Sequence, residues 1–453
     1  MPNSVLSPAT REANLLVDFY DRLPRAIAAC VSDPAPIRDG GSFSPGFLLP
    51  ELDQPLRDFL APATAAWQHL GQYGGHRLTL LDLTRNPGTG TTKTFASLLI
   101  VARAVEYIRR YDEPVTIFSP TSANKGTALR DAVLRAIEAG LVEPEQLRVV
   151  VLAPASCLGK LRSSRLSTDP ALRALNPLLL YTGPEPEEVK AIGRAFADKH
   201  AAEVPGRLWY SLDLANYLVA DTARAFFEQE VDPIGPVPRL HAHAVSSAFG
   251  MLGYHRGRDV LEEDGLASPD TRPATLLVQH LGTPDMVLNL RHGSFDREGL
   301  PAYEPDGQGL FRQSADPRFP QVTYDPQEVL DPTFYTHRPA TSPAMNDLIE
   351  RFGGDGIVVS LAECVERYPQ LRELLAPTSC ALPADLRALR EWSLVMALTG
   401  VANAVDRGLV EEGRDIVVHG SGSYGAADYR LLESDAMIQV ASVEDVAEAV
   451  LRP

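Results

Sequence analysis

The segment Asn86-Pro87-Gly88-Thr89-Gly90-Thr91-Thr92-Lys93-Thr94 decides how this 453-residue chain reads. It joins an apolar run at Leu78–Leu83, which has strand character, to a long apolar stretch from about Thr92 to Ile108, which has helical character. Its glycines and threonines provide flexible backbone and hydroxyls, and one lysine stands where the helix begins. A nucleotide-binding P-loop is the first chemistry to test. It fails on spacing, because Thr92 rather than glycine precedes Lys93 and Pro87 takes the place of the opening glycine. Standing alone, the segment would be a solvated lysine at a helix start.

The same strand, turn and helix order recurs along the chain. Val115–Phe118 reads as a strand, Ser119–Asn124 as a polar turn and Gly126–Ala139 as a helix. Val149–Leu152 is the next strand, followed by a loop with Cys157 and Lys160. A further unit runs from Leu240–Val245 through Ser246-Ser247-Ala248-Phe249-Gly250 into a helix at Met251–Leu261, and Thr275–Gln279 is another strand. Near the end, Glu391–Arg407 is a helix stopped by Gly408. A strand at Asp415–His419 then enters Gly420-Ser421-Gly422-Ser423-Tyr424-Gly425. Such alternation predicts α/β layers around mostly parallel sheets. Residues 12–30 are expected to form one helix, residues 33–50 a loop, and residues 300–335 an irregular segment that wraps the surface or covers an entrance.

Three turns besides the lysine segment carry polar groups after a strand. Thr121-Ser122-Ala123-Asn124-Lys125-Gly126 opens a helix and suits an anion, although a plain N-cap loop has the same composition. Ser246–Gly250 offers backbone N–H groups and two hydroxyls, but an ordinary strand-to-helix turn looks alike. Ser246 and Ala248 also dislike positive φ, which narrows the available geometries. Ser421, with Ser423 as its alternative, follows the last strand. His241 and His243 share one side of a strand without a third ligand at diagnostic spacing, so no metal site is expected. Tyr254 and His255 have groups suited to proton transfer, and Arg256 can balance an anion near the Ser246 turn.

These four segments, in this order over about residues 70–430, resemble those of the fold-type II pyridoxal-phosphate (PLP) enzymes. This is the tryptophan-synthase-β-like superfamily, with threonine synthase and cysteine synthase the most similar members. There, Asn-Pro-Thr-Gly-Ser-Phe-Lys precedes a helix, a Ser-Ser/Thr-Gly-Asn-Thr loop follows, and a glycine-rich cup and a terminal Ser or Thr complete the set. The resemblance implies a two-lobed α/β fold, each lobe a mostly parallel sheet flanked by helices. Residues 1–109 would hold the N-terminal part with some of the large lobe, 110–225 a smaller inserted lobe, and 226–453 the rest of the large lobe. It implies that Lys93 carries PLP as an internal aldimine and that Asn124 bonds the cofactor's phenolic oxygen. Thr121, Ser122 and Asn124 would serve the substrate carboxylate. Ser246, Ser247, Ala248, Phe249 and Gly250 would hold the phosphate, and Ser421 the pyridine nitrogen. After Lys93 the family often has Asp-Arg, whereas this chain has Thr94-Phe95.

The implied activity is a lyase or synthase performing β- or γ-elimination or replacement on a small amino acid. The alternative is a scaffold that binds PLP or an amino-acid-like ligand without lyase activity. A homodimer also follows from the resemblance. Composition is compatible with either activity. The net charge of −17, with no Lys/Arg run, argues against nucleic acid as a partner. No stretch reaches eighteen apolar residues, and the N-terminus lacks a basic region followed by an apolar core, so no membrane span is expected and a cytoplasmic location is. Cys30, Cys157, Cys364 and Cys380 lack paired metal-ligand spacing and read as isolated thiols.

Overall fold

The computed structural model describes residues 10–38 and 43–451; the start of the chain, used above to exclude a leader, and part of the 33–50 loop lie outside them. The chain divides into two compact units. One comprises residues 1–13, 64–85 and 224–426, and the other residues 14–63, 86–223 and 427–453. Each is an α/β layer structure built on one main sheet, as the strand–turn–helix alternation requires.

In the first unit the main sheet runs, in spatial order, through Arg11–Asn14, Thr64–Tyr73, His76–Asp82, Asp415–Gly420, Arg239–Ala244, Ala274–His280 and Gly354–Val359. From His76–Asp82 onward every neighbour is parallel. Side chains alternate across the sheet. Ile416, Val418, Leu240 and Ala242 therefore join one apolar cluster with the helix Ser393–Asp406. Val417, His419, His241 and His243 fall on the other face. The second unit has a five-stranded sheet, Ile438–Val440, Leu178–Tyr181, Leu147–Pro154, Val115–Pro120 and Arg207–Tyr210, parallel throughout. Phe118, Val150, Leu152 and Leu179 of this sheet pack with Phe196 and Val189 of the helix Glu188–His200.

Two expectations need correction. Residues 12–30 do not form one helix but a strand at Arg11–Asn14, a 3-10 turn at Tyr20–Arg22 and a helix at Leu23–Cys30. Asn14 is the cause: its Oδ1 accepts from the backbone of Leu16 (3.1 Å) and Val17 (2.9 Å), a local bond set that competes with helix. Residues 300–335, expected to be irregular, hold short strands. They contain a small antiparallel sheet, Glu304–Pro305, Phe311–Arg312 and Val322–Thr323, and they deliver Phe319 into an apolar cluster with Leu281, Leu288 and Val358.

The edge strand Gly354–Val359 depends on a missing side chain. Gly354 has φ +122° and lies opposite Thr275, so a Cβ there would collide with the Thr275 backbone carbonyl. Gly293 also has positive φ, +65°, but has open space around it. Gly354→Ala should therefore cost about 3 kcal/mol or more in urea unfolding, against about 1 kcal/mol for Gly293→Ala. Equal losses would mean that backbone conformation alone, and not this close approach, sets the requirement.

Candidate functional site

Asn86 organises the loop in front of Lys93. Its carbonyl accepts from the N–H groups of Thr89 (3.1 Å) and Gly90 (2.7 Å), and its Oδ1 accepts from Gly88 N–H at 3.0 Å. Its Nδ2 donates to Thr94 Oγ1 (3.3 Å) and Asp131 Oδ2 (3.2 Å), and Asp131 is paired with Arg135. Gly88 leaves room for this carboxylate, because a Cβ would stand 2.5 Å from Asp131 Oδ1. Buried Thr94 shares a 2.6 Å bond with Thr89 and donates to the Thr91 carbonyl at 2.9 Å. The residue that departs from the family's Asp-Arg thus ties the loop to the helix. Lys93 is the first residue of the helix Lys93–Tyr111, with its N–H bonded to Thr91 Oγ1 at 2.9 Å.

The helix Ala123–Glu138 of the same unit packs against Lys93–Tyr111 and starts earlier than its sequence suggests, so Asn124 lies in its first turn. Ser122 is the N-cap, yet its hydroxyl makes no capping bond. Thr121 is fixed by its N–H to Leu152 O (2.9 Å) and donates its hydroxyl to Ser122 O (2.8 Å). Gly126 lets this helix approach the strand Leu147–Pro154, since a Cβ would sit 2.8 Å from Val151. Lys125 is buried and donates to Ser211 O at 2.5 Å. Its Nζ is 5.8 Å from the centre of the Tyr217 ring, and Lys93 Nζ is 5.2 Å from the same ring. Two amines therefore stand against one aromatic ring. Burial first, and the neighbouring Lys93 charge second, pull the Lys125 amine from 10.5 down to about 7, with Asp213 opposing.

In the other unit, Ser246–Gly250 and Ser421 leave the carboxyl ends of adjacent parallel strands, Arg239–Ala244 and Asp415–Gly420. Anion and cofactor sites favour such strand ends. Ala248 adopts the left-handed conformation, φ 52° and ψ 16°, despite its side chain, and is the N-cap of the helix Phe249–Glu263. Thr341 fixes the turn by donating to Ser247 O at 2.6 Å. Ser246 Oγ is buried without a hydrogen-bond partner. Ser421 is buried at its strand end.

Behind the turn lies a chain of buried polar groups. Arg224 and Glu228 project from the helix Ala215–Val231. Arg224 Nη1 donates to His419 Nδ1 (3.1 Å), His419 Nε2 meets His241 Nδ1 (2.8 Å), and His241 Nε2 meets Glu228 Oε1 (3.1 Å). Burial drives both histidines toward the neutral form. One proton arrangement then satisfies every bond: His419 donates through Nε2 and His241 donates through Nε2 to the carboxylate. Burial alone would raise the Glu228 carboxyl, but His241, Arg239 and Tyr254 reverse this and hold it below the usual range. Arg239 approaches at 2.5 Å, and Tyr254 donates its hydroxyl.

Other polar residues fall elsewhere. His255, a candidate for proton transfer, is buried against Thr275 (3.0 Å) and pushed down to about 3, chiefly by burial. Arg256 pairs with Asp259 at the surface, so the cation beside the turn is Arg224. Lys160, in the loop after the strand Leu147–Pro154, is buried. The detectable signal for Arg224 and Glu228 was a pair of opposite charges at i and i+4 flanking Ala225, Phe226 and Phe227.

The depressed Lys125 pKa fixes the sign of a stability effect. Below about pH 7 the folded state bears the full cost of a buried charge. Between about 7 and 10.5 the unfolded state binds more protons, so stability rises with pH. Lys125→Met should gain about 2 kcal/mol over wild type at pH 6, and the gain should vanish by pH 10, measured by urea unfolding at each pH. A gain independent of pH would assign the effect to packing.

A family model described as a family of unknown function, DUF6002, matches residues 11–453. No curated protein matches the chain by sequence. Among solved structures, threonine synthase from yeast aligns with a TM-score of 0.54 at 11% identity, covering 85% of this chain and 80% of that one. PLP-bound threonine synthase from Brucella melitensis aligns with a TM-score of 0.50 at 12% identity, covering 84% and 79%. The chain belongs to the DUF6002 family, and its fold is that of the fold-type II PLP enzymes.

Proposed function

We propose that this protein is a PLP-dependent lyase or synthase that performs β- or γ-elimination or replacement on a small amino acid, with Lys93 as the cofactor-bearing lysine. The observation that carries the reading is the Lys93 loop: a hydrogen-bonded turn sets one amine at a helix start, beside a second amine on the same aromatic ring. The likeness in fold to threonine synthases, one of them PLP-bound, supports it.

The residues present suit the group. A buried hydroxyl without a partner, Ser246 Oγ, stands at a turn that opens a helix, which fits a phosphate. In this reading Lys93 takes the carbonyl carbon, Asn124 the phenolic oxygen, Ser246 to Gly250 the phosphate and Ser421 the ring nitrogen. When bound, PLP supplies an electron sink for charge developing at the substrate α-carbon. Thr121, Ser122 and the helix start behind them receive the substrate carboxylate. Lys93 Nζ would be the amine placed to take the α-proton. Ser421 would meet the ring nitrogen with a neutral hydroxyl, the kind of partner that suits elimination and replacement better than transamination.

After incubation with PLP and dialysis, wild type should show a visible band near ~410–430 nm, Lys93→Ala should lose it and Lys125→Met should keep it. A band that survives in Lys93→Ala, or is missing from wild type, overturns the reading. In the second case the protein is better described as a scaffold without this chemistry.

A further inference from the structure

We infer that a charged cavity beside the segment of residues 300–335 binds a free amino acid, holding its carboxylate at Arg312 and its ammonium at Glu366 and Asp406. These residues belong to one unit, whereas Lys93 belongs to the other, so the site depends neither on Lys93 nor on a cofactor.

The cavity encloses about 530 Å³, enough for an amino acid with its side chain. The small antiparallel sheet brings Arg312 to one side, next to Gln321 and Val322. The helix Leu361–Leu375 brings Glu366 and Arg367, and the end of the helix Ser393–Asp406 brings Asp406. Of the lining residues only Pro317 and Val322 lack a polar side chain.

The floor is a fixed network. Glu363 Oε1 accepts from Gln321 N–H (2.9 Å) and Arg407 (2.5 Å), and its Oε2 accepts from Asn403 Nδ2 (2.9 Å). Asn403 Oδ1 accepts from Arg367 Nη2 at 3.1 Å, and Arg367 also donates to the Tyr73 hydroxyl (2.7 Å) and to Asp406 Oδ2 (2.5 Å). The same groups hold the 300–335 segment in place. Arg407 donates to the carbonyls of Pro317 (3.0 Å) and Phe319 (3.3 Å), and Ser360 Oγ donates to Val322 O at 2.6 Å. The segment read as covering an entrance is thus fastened by the residues that line this space.

Three groups keep unused capacity. Arg312 spends Nε on Asp306 (3.0 Å), and its terminal nitrogens meet no acceptor among the described residues. The exposed Glu366 carboxylate meets no donor among them. Asp406 Oδ2 takes both Tyr73 and Arg367, which leaves Oδ1 open. An ordinary anion drawn to Arg312 would be repelled by two carboxylates, and an ordinary cation drawn to those would be repelled by Arg312 and the floor guanidiniums. A zwitterion answers both signs. Its carboxylate takes the paired terminal nitrogens of Arg312, and the three donors of its ammonium suit Glu366 and Asp406 Oδ1.

The test uses wild type, Arg312→Gln, Glu366→Gln and Lys93→Ala. The first two change side chains at the surface, so all the variants should fold. Thermal midpoints are read with each proteinogenic L-amino acid, and with acetate and methylamine as ligands of a single charge. Titration calorimetry then gives the affinity for any amino acid that stabilises wild type. At least one should do so, while acetate and methylamine do not. Arg312→Gln and Glu366→Gln should each weaken its binding by ~10-fold or more, and Lys93→Ala should bind it as wild type does. A missing visible band with PLP would leave this result unchanged, so the two readings fail separately. The inference is overturned if no amino acid stabilises wild type, if acetate or methylamine does so as well, if either surface variant keeps wild-type affinity, or if Lys93→Ala loses the binding.

Discussion

Parallel strands buried on both faces leave polar chemistry only one place to go. Their backbone groups are consumed sideways by neighbours and their side chains face apolar layers, so polar groups gather where the strands end. In the first unit the strands Arg239–Ala244 and Asp415–Gly420 pair in parallel and release Ser246–Gly250 and Ser421 at the same edge of the sheet. The neighbouring strand Ala274–His280 behaves alike: Gln279 Oε1 accepts from Met286 N–H (2.8 Å) and Val287 N–H (3.1 Å), and so caps the following helix. In the second unit the strand Val115–Pro120 releases Thr121 and Ser122, again into a helix start. The candidate residues are thus set by the sheets before any chemistry is considered.

Polar groups within the layers must instead be paired on the spot. Glu228 is fully buried, and burial without partners would make its charged form very costly. Arg239, His241 and Tyr254 converge on it. Such a cluster is not itself a source of stability, since apolar replacements of the same shape can do as well. Its value is directional, because removal of one member leaves the next without its bond. That coupling links Glu228 to Arg224 through two imidazoles, although the pair are only one helical turn apart on the same helix.

Most strands and the helices after them were legible in the sequence, because apolar runs broken by Gly, Ser and Asn mark strand ends clearly. Lys93 was legible for the same reason, as was its place at a helix start. The failures have a common physical source. Asn14 redirects the chain through side-chain bonds to Leu16 and Val17, which apolar spacing does not register. The burial of Lys125 left no local signal because its ring partner, Tyr217, lies more than ninety residues away. His419 passed as one residue of an apolar strand, since its partner His241 comes from a distant strand that only the parallel pairing brings alongside. Residues 300–335 have no period, yet Phe319 anchors them in a core cluster. What was missed depended on contacts distant in sequence.

The altered turn is where local rules and site requirements conflict. Ala248 in the left-handed region costs on the order of 1 kcal/mol relative to glycine, and a glycine there would remove that cost. The bond from Thr341 to Ser247 O helps hold the turn in this conformation. Glycine has been kept instead at residue 250, where the guanidinium needs the space. The distribution is informative, since the one small residue demanded by a close approach is retained while conformational ease next to it is given up. A cup made of glycines binds through backbone donors alone and is indifferent to the rest of the protein. A turn with a buried arginine behind it is tied to the sheet through His419 and to the helix Ala215–Val231 through Arg224 itself, so the geometry of the turn and the packing of this unit become one constraint.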